Sequence, residues 1–273
     1  MDRGSRALPK ETFSDERGSY EIVVGDVNEA LPRYKGKFRL AIADPPFAIA
    51  FSKSSHEYGA KDYKLYSDDM TKEQYFSWCR EWIRNSFDAL TPDGSMYIVS
   101  GWTNLDVILN AVNDSEFTLR NHLIWKFSWG VFARKRYVTS HYHILYLVKD
   151  PNNAAFQPQG RYEEDVWEFP GYNRGNDPTR IKGHPCQLPV EMIEKMLRIS
   201  TVPGDWVGDV FSGSGTTLLG ARKVGRNCVS FERDPTYVNV IKEKSRWGKP
   251  VAALDVPIAW KGKPAKALKA RTA

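Results

Sequence analysis

Cysteine is scarce in this chain of 273 residues: only Cys79, Cys186 and Cys228 occur, and no two share CxxC spacing. An odd, sparse set excludes a disulfide framework or a zinc ribbon and reads as free thiols in a reducing cytoplasm. Long hydrophobic runs are missing as well, since no stretch approaches the roughly 18 apolar residues that a membrane span needs. The opening MDRGSRALPKETFSDERGSY lacks the apolar core of a signal peptide, so no membrane partner is expected. No His/Cys/Asp group has metal-ligand spacing, and no metal is expected.

What is present suits a packed domain. The sequence is 41% hydrophobic and 13% aromatic, which argues against a disordered chain. The formal net charge of +6 suits a polyanionic partner, because neutralising phosphates releases condensed counterions. Ordinary solubility explains a charge of that size equally well. Seven short runs rich in β-branched and aromatic residues read as buried strands. They are Glu21–Asp26, Arg39–Asp44, Ser95–Ser100, His122–Phe127, Tyr142–Asp150, Asp205–Phe211 and Asn227–Asp234.

Helical patterns alternate with these strands. Thr71 and Gln74 form a capping-box signature ahead of Tyr75, Trp78, Cys79, Trp82, Phe87 and Leu90 at helical spacing, and Thr91-Pro92-Asp93-Gly94 stops that helix. A second helix fits Thr103 to Val112, and a third carries Met192, Ile193, Met196 and Leu197. The last is expected to start at Asp234-Pro235. The fold class that follows is α/β, with a mostly parallel sheet covered by helices on both faces. Residues 1–18 read as a polar N-terminal arm, 19–248 as the α/β domain, and 249–273 as a basic tail. Residues 151–183 look irregular.

Asp209-Val210-Phe211-Ser212-Gly213-Ser214-Gly215-Thr216 lies where a buried strand gives way to a helix. Two glycines let the backbone turn sharply and approach a ligand closely, with helix amides aimed at it. Gly-Lys-Ser/Thr is missing, which excludes a Walker phosphate loop. The dinucleotide spacing GxGxxG also fails, because the next glycine is Gly220. The following strand ends at Glu232, where an α/β nucleotide site places an acid for ribose hydroxyls. Loop and acid together favour an adenosyl ligand without a pyrophosphate. Asp44-Pro45-Pro46-Phe47 follows another strand, and its paired prolines fix the backbone at a strand's carboxyl end, where open α/β sheets bind ligands.

With DPPF, FSGSGTT and HPCQLP, the sequence resembles the S-adenosylmethionine-dependent amino-methyltransferases of DNA. Because DPPF precedes FSGSG, it is similar to the circularly permuted β-class, adenine-N6 type. The resemblance spans roughly residues 21–244 and implies a Rossmann-like methyltransferase fold with an antiparallel hairpin. It makes Asp44, Pro45, Pro46 and Phe47 catalytic, with the Asp44 carboxylate and the Pro45 carbonyl accepting from the target amine and Phe47 stacking on a flipped base. It assigns Asp26, Asp209, Phe211, Gly213, Gly215, Thr216 and Glu232 to S-adenosylmethionine, and places His184–Pro189 near the cofactor's methionine end. Leu188 departs from the family's lysine, and that contact is not carried over. Cys186 reads as structural. Between the motifs, residues 127–143 interleave Arg134, Lys135 and Arg136 with Trp129, Phe132, Tyr137 and Tyr142, and the resemblance turns this loop toward DNA. Residues 151–183 are the other candidate for target reading. The family implies DNA as partner, with a homodimer and a cognate restriction nuclease left open. Cytosine N4, an RNA adenine, a protein glutamine amide and a catalytically silent DNA-binding relative stay open as alternatives.

Overall fold

The computed structural model describes residues 7–48, 70–127, 134–135, 137–169, 181, 184 and 187–251. Among the described residues, nine strands form one sheet. They are β1 (Lys10–Asp15), β2 (Gly18–Val24), β3 (Phe38–Ala43), β4 (Leu90–Ser100), β5 (Thr118–Lys126), β6 (His141–Val148), β7 (Val166–Glu168), β8 (Trp206–Asp209) and β9 (Asn227–Glu232). The helices are α1 (Val27–Ala30), α2 (Lys72–Ala89), α3 (Leu105–Asn113), α4 (Val190–Ser200), α5 (Thr216–Lys223) and α6 (Tyr237–Ser245). Strand order is β1-β2-β9-β8-β3-β4-β6-β5-β7. The run from β2 to β4 is parallel throughout, while β6 pairs antiparallel with both β4 and β5. This is the Rossmann-like, mostly parallel sheet with an antiparallel hairpin.

The central strands are apolar on both sides because helices cover both sides. Along β3, Leu40 and Ile42 join the core with Met192, Ile193 and Leu218 of α4 and α5. The alternate residues Ala41 and Ala43 pack with Tyr75, Trp82 and Ile108 of α2 and α3. Each large side chain buried this completely contributes roughly 1.5–3 kcal/mol. Among the described residues, no helix is long and apolar enough to cross a membrane.

Several elements differ from the expected ones. Residues 10–15, expected within a polar arm, form edge strand β1 against β2. Its outer face is solvated, so it carries no apolar alternation to betray it. Thr91–Gly94, expected to stop α2, lies within β4 instead: the helix ends at Ala89, β4 begins at Leu90, and the β3–β4 register shifts there. Within the segment expected to be irregular, Val166–Glu168 pairs parallel with β5. Helix α6 begins at Tyr237, and the Asp234 carboxylate instead accepts from Thr236 in the turn before it, 2.8 Å from the backbone nitrogen.

Candidate active site

Parallel pairing sets the carboxyl ends of β2, β9, β8 and β3 side by side, and each delivers one acid. Asp26 follows β2, Glu232 ends β9, Asp209 ends β8 and Asp44 follows β3. The β3–β8 pair, in register from Leu40↔Val207 to Ile42↔Asp209, brings the DPPF turn beside the glycine loop despite the long stretch of chain between them. Sequence spacing does not reveal that adjacency. The sheet order does.

Gly213 (φ 50) and Gly215 (φ 84) both lie in the left-handed region that L side chains rarely adopt. A Cβ at Gly213 would sit 2.7 Å from His184 Nε2, and one at Gly215 3.0 Å from Ile241 Cα. Both positions therefore require glycine for space as well as for backbone. The Gly213 amide donates to Glu232 Oε2 at 2.9 Å, and the Asp234 amide to Oε1 at 2.9 Å. A carboxylate offers about four lone-pair positions, so Glu232 is fixed in place with acceptor capacity left over. The Ser214 and Thr216 hydroxyls lie 3.0 Å apart at the start of α5.

Two of the acids do more structural work than the motif suggests. Asp26 caps α1, accepting from the Asn28 amide at 2.8 Å. Asp209 is only 3% exposed, behind the loop, with Ser230 Oγ 3.4 Å from its carboxylate. Phe211 turns to the opposite side, packing on Trp78 and Trp82 with ring centroids 5.4 and 5.3 Å away. It anchors the loop to α2.

Burial dominates the electrostatics. It pushes Asp209 up to about 7, opposed by the Ser212 and Thr217 hydroxyls and reinforced by Glu232. Burial, then the Asp209 carboxylate, raises Asp44 to about 7. Glu232 reaches about 7 through burial, although the Asp234 and Gly213 amides favour its charged form. Three clustered carboxyl groups held this high would ionise more readily beside a cation, whose charge favours the carboxylate form.

The aromatic face of the DPPF turn continues into the hairpin. Phe47 lies beside Gly101, where a Cβ would come within 3.3 Å of the ring, and 5.9 Å centroid to centroid from Tyr142. Tyr142 in turn packs at a tilt against Trp125 and Phe127, 5.5 and 5.4 Å away. Arg134 and Lys135 are exposed, and Tyr137 is fully so. Arg136, Trp129, Phe132, Pro185 and Cys186 lie outside the described residues, as do residues 170–180. In the HPCQLP segment, the Gln187 amide donates to the carbonyls of Ile181 (2.7 Å) and His184 (3.1 Å) and receives Lys244 Nζ at 2.6 Å. That brace holds the His184 ring over Gly213.

Sequence reasoning missed Tyr75, Asn104 and Gly101. Tyr75 reads as one member of an apolar helical stripe, and Asn104 as an ordinary helix start. The structure instead turns the Tyr75 hydroxyl to the Pro46 carbonyl and the Asn104 amide to Phe47 and Ala48.

Comparison with known proteins agrees with this geometry. A family model described as DNA methylase, of the N6/N4 methyltransferases, matches residues 38–243. The type II methyltransferase M.ScaI of Streptomyces caespitosus is 26% identical over 235 residues, spanning 74% of this chain and 73% of its own length. M.HinfI of Haemophilus influenzae is 27% identical over 261 residues, spanning 89% and 72%. Among solved structures, the cytosine-N4-specific PvuII DNA methyltransferase superposes with a TM-score of 0.68 at 20% identity, covering 85% of this chain and 88% of that one. The SAM complex of M1.HpyAVI superposes with a TM-score of 0.63 at 23% identity, covering 82% and 97%. With its glycine loop and its DPPF turn on adjacent strands, the chain belongs to the N6/N4 family of DNA methyltransferases, which take their methyl group from S-adenosylmethionine.

Proposed function

We propose that the protein methylates N6 of adenine in DNA, on a base rotated out of the duplex. The observation that carries this reading is the β3–β8 pairing, which sets the Asp44-Pro45-Pro46-Phe47 turn against the cradle of Gly213 and Gly215. Asp before Pro-Pro favours adenine over cytosine, by resemblance to the adenine-N6 enzymes.

The residues present fit S-adenosylmethionine. Gly213 and Gly215 hold the loop in left-handed turns at the carboxyl end of β8, beside the end of β3, Glu232 keeps lone pairs for ribose hydroxyls, and the raised carboxyl groups favour a cationic ligand. Gly213, Gly215, Thr216, Glu232 and Asp26 are assigned to it, with Asp209 and Phe211 acting behind them. Bound there, the cofactor supplies an electrophilic methyl group on a sulfonium.

The rest of the chemistry falls to the chain. An exocyclic amine is a poor nucleophile because its lone pair is delocalised into the ring. Acceptors aimed at its N–H groups favour a localised lone pair and stabilise positive charge as the nitrogen gains a bond. The Asp44 carboxylate and the Pro45 carbonyl are those acceptors. A carboxyl group near pH 7 also suits taking up the proton that the methylated amine sheds. Phe47, backed by Tyr142, offers a stacking face that offsets part of the few kcal/mol that base extrusion costs. Arg134, Lys135 and Arg136 neutralise phosphates, and Tyr137 stands beside them.

The test is to express the protein in a host whose DNA carries no amino-methyl marks and to sequence that DNA with modified-base detection. N6-methyladenine at one recurring sequence supports the reading. N4-methylcytosine at such a sequence overturns the choice of base, and unmodified DNA overturns the activity.

A further inference from the structure

The DPPF turn cannot brace itself. Its two prolines carry no N–H, so the turn lacks half the donors that an ordinary turn would use. Three successive carbonyls are instead met from outside by two side chains. The Tyr75 hydroxyl, from the buried face of α2, donates to the Pro46 carbonyl at 2.7 Å. Asn104 Nδ2 donates to the carbonyls of Phe47 (2.7 Å) and Ala48 (3.2 Å). Ala48 has φ 50, a left-handed conformation that is costly for a residue with a Cβ and persists only where its surroundings hold it. Asn104 occupies the N-cap of α3, a position where asparagine ordinarily satisfies the helix amides, yet its side chain makes no capping bond. Its amide serves the turn instead.

We propose that Tyr75 and Asn104 are positioning residues for methyl transfer. By fixing the carbonyls of Pro46, Phe47 and Ala48, they set the direction of the Pro45 carbonyl and the plane of the Phe47 ring toward the target base. This rests on the amino-methyl-transfer reading above. Misplacing a reacting group by about 1 Å can cost on the order of 100-fold in rate, so the clamp belongs to the chemical step rather than to cofactor binding.

The experiment uses the full chain and a duplex containing the site that host-DNA sequencing identifies. Tyr75→Phe removes one hydroxyl, and Asn104→Leu removes both amide bonds at similar volume. Single-turnover methylation should slow by about 10- to 100-fold in each. The KM for DNA, calorimetric affinity for S-adenosylmethionine and the thermal midpoint should stay near those of the parent. With 2-aminopurine at the target, the variants should extrude the base but stack it differently on Phe47, changing the fluorescence of the bound complex. Because Asn104 holds Ala48 in a left-handed conformation, adding Ala48→Gly to Asn104→Leu should recover part of the lost rate. Parent-like rates in both single variants overturn the clamp and leave the methyltransferase reading standing. A loss that appears equally in cofactor affinity and thermal midpoint, with no recovery from Ala48→Gly, shows a purely structural role and overturns it too. A parent that modifies no DNA overturns both readings together.

Discussion

Asp44 sits at the carboxyl end of β3, where burial and the neighbouring Asp209 raise its carboxyl group to about 7. If its part is to accept from the target amine, removing it should cost chemistry far more than binding. Asp44→Ala is expected to lower single-turnover methylation by at least about 100-fold, with calorimetric affinity for S-adenosylmethionine largely kept. Substantial turnover in that variant would remove Asp44 from the mechanism. Glu232 presents the opposite case. It is held by two backbone amides, which leaves acceptor capacity for the ribose hydroxyls assigned to it. Glu232→Ala should therefore weaken S-adenosylmethionine binding by about 1–3 kcal/mol, the value of a charge-assisted hydrogen bond. Unchanged affinity by calorimetry would place the ribose elsewhere. Both acids were legible as residues before the fold was known, because each ends a buried strand next to a turn motif. Asp26 was legible too, but its capping of α1 was not, since one carboxylate can serve a helix amide and a ligand without any change in the local pattern.

At the level of elements, legibility followed burial. Strands β3, β6, β8 and β9 are largely buried and stand out as short runs rich in β-branched and aromatic residues. Edge strand β1, KETFSD, is largely solvated and reads as a polar arm, while β7 has three residues and owes its existence to pairing with β5. What fixes β1 lies elsewhere in the chain. The fully buried Arg222 of α5 donates to Asp15 Oδ2 at 2.6 Å and to the carbonyls of Ser245, Arg246 and Lys249, with its guanidinium over Phe13 and Tyr20. Arg222→Met would take the guanidinium donor from Asp15 Oδ2 and from three carbonyls at once. A loss of about 3–5 kcal/mol in chemical denaturation is expected, and a loss under about 1 kcal/mol would show that β1 is held by its ladder alone. The loop before β6 makes a different demand. Arg134 and Lys135 are exposed and can reach a phosphate backbone without reading bases. Replacing one of them with alanine should weaken binding on all DNA sequences and reduce the salt slope by about 1. An unchanged slope in both variants would move DNA contact away from this loop.

The whole molecule carries a proton linkage that follows from where the sheet puts its acids. Asp44, Asp209 and Glu232 all reach about 7 in the fold, against ordinary values near 4 in the unfolded chain. A carboxyl group with a raised folded value binds its proton more tightly when native, so its contribution to stability is present at low pH and is lost as pH rises through about 7. His143 works in the other direction. Burial, then the charges of His122 and His141, lowers it to about 4, so its contribution grows between about pH 4 and 6.5 and is complete above that. From pH 6.5 to 8 the three carboxyl groups titrate unopposed by it. Without cofactor, the thermal midpoint should fall across that window. A saturating cationic cofactor favours the ionised carboxylates, so the stabilisation it confers should grow over the same range. Thermal scans at pH 6, 7 and 8, with and without S-adenosylmethionine, measure both slopes. Asp44→Asn removes one of the three titrating groups, and it should flatten the cofactor-free slope. A cofactor-free midpoint that rises from pH 6.5 to 8, or a slope that Asp44→Asn leaves unchanged, would show that the acids at the ends of β3, β8 and β9 are already ionised before the cofactor arrives.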